Sequence, residues 1–154
     1  MNMLKPQDSN NPAGEEKPAY VYHGTVAGRL RSIYEHGLIP GKVPVWKGQG
    51  EQDQLIRSIS DAAVFFSLTW SNALGTWAFI AHKCSRGPKA SIKRAPAVIR
   101  LSTKNLHLER DPAALNPSWM VRGTVPVQGA EVIIGFDTLR PVWRPLGEVI
   151  HELG

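Results

Sequence analysis

The sequence contains a single cysteine, Cys84, and no long hydrophobic run. One cysteine cannot form a disulfide within the chain, and a chain without internal disulfides is typical of the reducing cytoplasm. No apolar stretch approaches the roughly 20 residues that a membrane-spanning helix needs. The N-terminal residues also lack the apolar core of a signal peptide. We therefore expect a cytoplasmic protein without a membrane segment.

The composition is otherwise that of an ordinary globular protein. The 154 residues are 42% hydrophobic and 20% charged, which suits one domain with one hydrophobic core. Residues 1–18 are polar and contain proline and glycine, so a disordered tail is predicted there. Residues 19–154 are predicted to form the single domain.

The charge balance is basic, because 18 Lys and Arg residues outweigh 13 Asp and Glu residues and leave a formal net charge of +5. Lysines and arginines cluster between Lys83 and Arg94. A solvated surface loop is the default interpretation of such a cluster. A contact surface for nucleic acid or another polyanion is the functional alternative. The cluster alone does not distinguish the two.

Apolar runs of strand length alternate loosely with amphipathic segments. Strands rich in β-branched and aromatic residues are predicted at 19–23, 63–67, 97–101 and 130–136. A helix is predicted after each of the first two strands. The spacing is too irregular for a doubly wound parallel sheet. The sequence therefore predicts an α+β fold with a mostly antiparallel sheet flanked by helices.

Side chains capable of chemistry stand at the edges of these strands. They are His23, Gly24 and Thr25 after the first strand, Phe65 and Ser67 at the end of the second, and Glu131 at the start of the fourth. Each has a structural interpretation, such as a turn glycine, a core phenylalanine or an exposed strand glutamate. Because each lies where a strand ends or begins, the set together indicates a cleft.

The motif YHGT, followed by a helix ending in SIYEHGLIP, precedes AVFFSLTW and then AEVII. This order resembles the three motifs of the ADP-ribosyltransferase superfamily, especially the diphtheria-toxin-like and poly(ADP-ribose) polymerase-like branch with its His-Tyr-Glu triad. The first motif is also similar to that of DarT-type enzymes and tRNA 2′-phosphotransferases. The resemblance covers residues 20–136, with Phe65 where the triad has tyrosine.

The resemblance implies a split sheet and a glycosyltransferase that cleaves the nicotinamide–ribose bond of NAD, its co-substrate. Glu131 would be the catalytic carboxylate that stabilises an oxocarbenium-like ribose, as carboxylates do in glycosidases. His23 would bind the adenosine ribose and is the second residue of the implied catalytic set. The other residues implied to contact NAD are Gly24, Thr25, Phe65, Ser67 and Trp46. No metal is implied, since the histidines are scattered without a ligand pair at short spacing.

The resemblance leaves the acceptor open. The basic balance and the DarT-like phrase favour DNA or RNA, and a protein side chain or water is the alternative. Small enzymes of this kind are often toxins or effectors, so an inhibitor or antitoxin protein is an expected partner.

Two other functions remain open. An RNA 2′-phosphotransferase would share the His-Gly-Thr motif, although Arg57 stands here without the histidine that accompanies it in those enzymes. A non-catalytic nucleotide- or nucleic-acid-binding module of the same fold is favoured by Phe65 and disfavoured by Glu131.

Overall fold

The computed structural model describes residues 17–40, 63–85, 87–88, 91–110, 118–135 and 141–153. Residues 1–16 of the predicted tail, Trp46 and Arg57 lie outside these ranges. Lys17 is already tied to the domain, because its ammonium group donates to the carbonyl oxygen of Leu106 at 2.8 Å.

The described part of the chain contains seven strands and three helices. The strands are β1 Tyr20–Val26, β2 Ala63–Ser67, β3 Pro96–Ser102, β4 Glu109–Arg110, β5 Ser118–Arg122, β6 Glu131–Ile134 and β7 Arg144–Pro145. The helices are α1 Leu30–His36, the composite α2 with parts Trp70–Asn72, Ala73–Ala78 and Phe79–Cys84, and α3 Leu146–Leu153. The middle part of α2 is π-helical.

The strands form one sheet in the order β4-β5-β2-β1-β3-β6-β7. Every pairing between neighbours is antiparallel. This confirms the predicted α+β class and the antiparallel sheet. The four predicted strands correspond to β1, β2, β3 and β6.

The predicted end of the first strand at His23 is wrong, because His23, Gly24 and Thr25 continue β1 up to Val26. They pair in register with Ile99, Val98 and Ala97 of β3. A 3-10 turn, Ala27–Arg29, separates the strand from α1. Thr25 therefore lies too early to cap that helix and is buried inside the sheet.

The ladder between β1 and β2 is short. Within the described residues these two strands share one paired position, Tyr22 with Ser67. By contrast, β1 pairs with β3 at all seven of its positions and β2 pairs with β5 at all five. We call the stretch in which residues 23–26 of β1 and residues 63–66 of β2 share no paired position the seam.

Apolar side chains cover both faces of the sheet. The larger core lies on the face that carries Val21, Phe66, Ile99 and Trp119, and it extends to Leu30 of α1 and to Leu146, Val149 and Ile150 of α3. A smaller cluster on the other face joins Ala73, Leu74 and Ala78 of α2 to Val98 and Ile133. We refer to these as the core face and the α2 face.

Helix α2 lies directly on β1 at Gly24. A Cβ atom added to Gly24 would stand 2.5 Å from the backbone nitrogen of Ala78, and it would also overlap the carbonyl oxygen of Ala73. Contacts this close to backbone atoms cannot be relieved by a side-chain rotation. Glycine is therefore required at position 24 by helix packing.

Candidate functional site

His23 lies in the seam and links the two half-sheets. Its Nδ1 atom donates to the carbonyl oxygen of Phe65 at 3.0 Å, and its ring meets that of Phe66 edge-on with 5.9 Å between centroids. A carbonyl can only accept a hydrogen bond, so Nδ1 carries the proton. In the neutral imidazole, Nε2 is then a hydrogen-bond acceptor with a fixed direction.

The surroundings keep this imidazole neutral. Burial lowers the pKa of His23 below its usual value of 6.5, and the positive charge of Arg29 lowers it further, while the hydrogen bond to Phe65 opposes the shift in part. A protonated ring would lose hydration in the seam and would be repelled by the positive charge of Arg29. His23 is therefore uncharged at neutral pH.

Acid should destabilise the fold through His23. The unfolded chain takes up the imidazole proton near pH 6.5, whereas the folded chain takes it up only at lower pH. Between these two values the unfolded state binds more protons, so the free energy of unfolding falls as the pH falls, by at most about 1.4 kcal/mol per pH unit for one proton. The contribution is constant above pH 6.5.

Urea unfolding of the wild-type chain and of His23→Gln at pH 7.5, 6.5 and 5.5 measures this effect. The difference in unfolding free energy between the two proteins should shrink as the pH falls. A difference that is the same at all three pH values would contradict the lowered pKa.

The register places Glu131 on the face opposite to His23. Ser67, Tyr22, Arg100 and Glu131 form one row of directly paired residues across β2, β1, β3 and β6. Residues paired in this way share a face, and the next residue along a strand projects to the other one. Two strand spacings, roughly 10 Å, also separate β6 from β1. The structure therefore does not bring Glu131 and His23 into one crevice.

Glu131 is instead the anion of an arginine–aromatic cluster. Its Oε1 accepts from Arg100 Nη2 at 2.7 Å and from Arg100 Nε at 3.2 Å. The Arg100 guanidinium lies 4.5 Å from the ring centroids of both Tyr20 and Trp143, and Trp143 also contacts Tyr22. A guanidinium group that is stacked on aromatic rings is held in place and binds a carboxylate in a fixed, planar geometry. This cluster gives Glu131 a structural role that the sequence motif did not indicate.

The remaining predicted residues divide between the two faces. Thr25 lies two positions from His23 on the core face. Phe65, Ser67 and Gly24 lie on the α2 face. Ser67 is 2% exposed, and its hydroxyl donates to Asn72 Oδ1 at 2.7 Å. This bond ties the end of β2 to the start of α2, where Thr69 caps the helix by accepting from the backbone N–H of Asn72.

The basic cluster is partly built into the fold. The Arg94 guanidinium donates to the carbonyl oxygens of Gly87 at 2.8 Å and His82 at 3.1 Å, and His82 Nδ1 donates back to the carbonyl oxygen of Arg94 at 2.6 Å. A cation at these carbonyl groups stabilises the C-terminal end of α2. Lys83 and Lys93 are exposed, so they are the described lysines of the cluster that remain accessible.

A small cavity lies beside β4 and the end of β5. Its volume is about 220 Å³, and its walls include Leu106, Val121 and Val125 beside the ion-paired Glu109 and Arg122. Sites for drug-sized ligands usually have about 300–1,000 Å³. The cavity is therefore too small for a whole dinucleotide.

In the part of the chain that the structure describes, no three His, Cys, Asp or Glu side chains are grouped so that they could hold a metal ion. None of the helices found there is both long enough and apolar enough to cross a bilayer. No protein-family model matches the chain, and no curated protein matches it at a significant level.

Proposed function

We propose that this chain is an NAD-dependent ADP-ribosyltransferase whose donor binds in the seam, with a ribose hydroxyl donating to His23 Nε2. The observation that carries the proposal is the imidazole itself, which is neutral, fixed in one tautomer and placed next to the paired position of the β1–β2 ladder. The order of the three sequence motifs supports the same activity.

The reaction breaks the bond between the ribose carbon and the nicotinamide nitrogen, and the electron pair leaves with nicotinamide. The ribose carbon becomes oxocarbenium-like until a lone pair of the acceptor forms the new bond, and the acceptor's proton passes to solvent. The acceptor is a macromolecule, either a nucleic acid or a protein.

Glu131 does not carry the catalytic step in this proposal. The carboxylate of Glu131 is paired with Arg100 on the α2 face, so the proposal assigns it to the support of the sheet. None of the other described carboxylates is assigned to the reacting sugar. In this proposal the seam promotes the reaction by orienting the donor and by excluding water from it.

A second candidate function follows from the same observation. A module that binds a dinucleotide without cleaving it needs His23 and the open ladder but no carboxylate at the sugar. The Glu131–Arg100 pair and the absence of a phenol at Phe65 both favour this candidate.

Nicotinamide release separates the candidates. The chain is incubated with NAD, alone and with DNA, RNA or protein, and free nicotinamide is measured by chromatography while NAD binding is measured by calorimetry. Release with a labelled acceptor supports the transferase. Release only with 2′-phosphorylated RNA supports the phosphotransferase, and binding without release supports the module. If the chain shows no NAD binding and no nicotinamide release, a dinucleotide site in the seam is contradicted.

Replacing Glu131 with glutamine should leave nicotinamide release within about twofold of the wild-type rate. The Glu131 and Arg100 side chains are 32% and 20% exposed, and loss of a partly exposed ion pair of this kind lowers the free energy of unfolding by about 0–1 kcal/mol. A carboxylate that stabilised the transition state would cost about 10²–10³ in rate when removed.

Glu148→Gln is the matched control, because Glu148 is also a strand-supporting carboxylate, paired with Arg144 at 2.9 Å. Both variants are compared with the wild-type chain in nicotinamide release and in urea unfolding. A hundredfold loss of release confined to Glu131→Gln, with an intact fold, would show that Glu131 does act at the sugar.

A further inference from the structure

The cavity beside β4 and the end of β5, which we call the edge cavity, is not used by the function proposed above. β4 is the outermost strand on its side of the sheet. The residues that line the cavity come from the segment before β4, from β4 itself, and from the end of β5 and the residues after it. They are different from the residues of the seam. The edge cavity is therefore a separate candidate for ligand binding.

The apolar floor of the edge cavity belongs to the main hydrophobic core. Val125 is fully buried and Val121 is 8% exposed, and Leu106 packs against the same core cluster. Two backbone hydrogen bonds, at 2.8 and 2.9 Å, join Val125 to Leu38. The carbonyl oxygen of Leu106 accepts from the ammonium group of Lys17. The floor is therefore already formed before a ligand binds.

An ion pair lies in the wall of the edge cavity. Glu109 Oε2 accepts from Arg122 Nε at 2.8 Å, and both residues line the cavity. This bond uses a single N–H donor of the guanidinium group and one carboxylate oxygen. The two NH₂ groups of Arg122 and Oε1 of Glu109 can therefore bond to a ligand. Because the two charges are opposite, the pair offers donors beside an acceptor without a net charge.

The volume of the edge cavity limits the size of its ligand. A cavity of roughly 150 Å³ holds one benzene molecule. By the same measure, the cavity of about 220 Å³ holds a six-membered ring with about three further heavy atoms. An apolar floor suits the flat face of such a ring, and the polar wall suits a polar edge.

We propose that the edge cavity binds a single uncharged aromatic ring whose edge carries a hydrogen-bond donor beside an acceptor. The face of the ring packs on Leu106, Val121 and Val125. The acceptor of the ligand accepts from Arg122, and its N–H group donates to Glu109. Pyridine carboxamides such as nicotinamide and pyrimidine bases such as cytosine share this chemistry. The inference does not depend on the function proposed above, because binding in the cavity requires no cleavage of NAD.

NMR titration of the ¹⁵N-labelled full chain tests the site. The probes are nicotinamide and cytosine, and benzoate and benzylamine are charged rings of similar size. For ligands of about nine heavy atoms we expect a dissociation constant on the order of 1 mM, with shifts at the backbone amides of Val121, Thr124 and Val125. Benzoate and benzylamine should bind about tenfold more weakly, because each brings a charge next to a like charge. Tighter binding of nicotinamide would identify a carboxamide ligand, and tighter binding of cytosine a pyrimidine base.

Two substitutions in the ion pair should change the charge that the cavity prefers. Glu109→Gln leaves Arg122 without its anion and should raise the affinity for benzoate, relative to nicotinamide, by about tenfold. Arg122→Gln should do the same for benzylamine. Glu148→Gln is the matched control, because it removes a carboxylate from the ion pair with Arg144 and should change neither preference. Loss of a partly exposed ion pair does not unfold a domain, and thermal unfolding of every variant checks this.

Three results would overturn the proposal. One is the lack of shifts at the cavity amides with about 10 mM nicotinamide or cytosine. Another is equal affinity of the wild-type chain for nicotinamide and benzoate, or a charge preference that is unchanged in both folded variants. The third is nicotinamide binding that shifts only the amides around His23 and Phe65, which would put the ring in the seam. Because no probe contains the bond that the transferase breaks, none of these results bears on nicotinamide release from NAD.

Discussion

Replacing Gly24 with alanine is expected to lower the free energy of unfolding by about 3 kcal/mol or more. The new Cβ atom would stand 2.5 Å from the backbone nitrogen of Ala78 and 2.9 Å from the Cβ atom of Trp77. Both atoms belong to the π-helical part of α2, so relief requires the whole helix to lift from β1. Overpacking of this kind costs about 1–3 kcal/mol where side chains can adjust, and more where they cannot. Urea unfolding at neutral pH measures the change.

Gly75→Ala is the matched control, because it adds the same methyl group to the same helix. An added Cβ there meets nothing within 4 Å, and alanine is the better helix former by about 0.5–1 kcal/mol. The two substitutions should therefore change stability in opposite directions. If Gly24→Ala is as stable as the wild-type chain and fails only to bind NAD, then Gly24 serves the ligand, as the resemblance implies, and not the helix.

Replacing His23 with phenylalanine should weaken both the fold and the binding of NAD. The ring would keep most of its contact with Phe66 but would leave the carbonyl oxygen of Phe65 without its donor. A buried polar group without a partner costs about 1–3 kcal/mol. The acceptor Nε2 is lost as well, and removal of one neutral hydrogen bond to a ribose hydroxyl weakens binding by up to about tenfold.

His82→Phe separates the two effects. His82 makes the same type of bond, from Nδ1 to a backbone carbonyl oxygen at 2.6 Å, but at the C-terminal end of α2. This control should lose stability and keep its affinity for NAD in calorimetry. NAD affinity unchanged in His23→Phe, or reduced equally in both variants, would remove His23 from the binding site.

The strands with dense apolar patterns were predictable, because burial on both faces leaves a continuous run of hydrophobic residues. The predicted bounds of β2 are those of the structure, and β3 extends one residue beyond its predicted bounds at each end. The two-residue strand β4 was not predictable. Strands this short carry no periodic pattern and exist only because a neighbouring strand offers hydrogen bonds.

Gly24 and Glu131 show why the site was harder to predict than the fold. A glycine after an aromatic run suggests a turn, yet Gly24 lies in the strand because a helix distant in sequence needs the space. For Glu131 the deciding quantity is register. A shift of one residue in the strand pairing moves a side chain to the other face of a sheet. The order of motifs in the sequence does not indicate which face Glu131 takes. The Arg100 partner is set by the same pairing.

The seam also determines how the two halves of the sheet are held together. The half-sheets share one rung of backbone pairing, so their attachment depends mainly on the apolar layer formed by Phe66, Ile99 and Trp119 beneath them. Hydrophobic association weakens on cooling, because it is driven by entropy near room temperature. We therefore expect the packing between the two half-sheets to weaken at low temperature, while each half-sheet keeps its own backbone pairing. Cooling would thus affect the contact between the half-sheets more than either half-sheet itself.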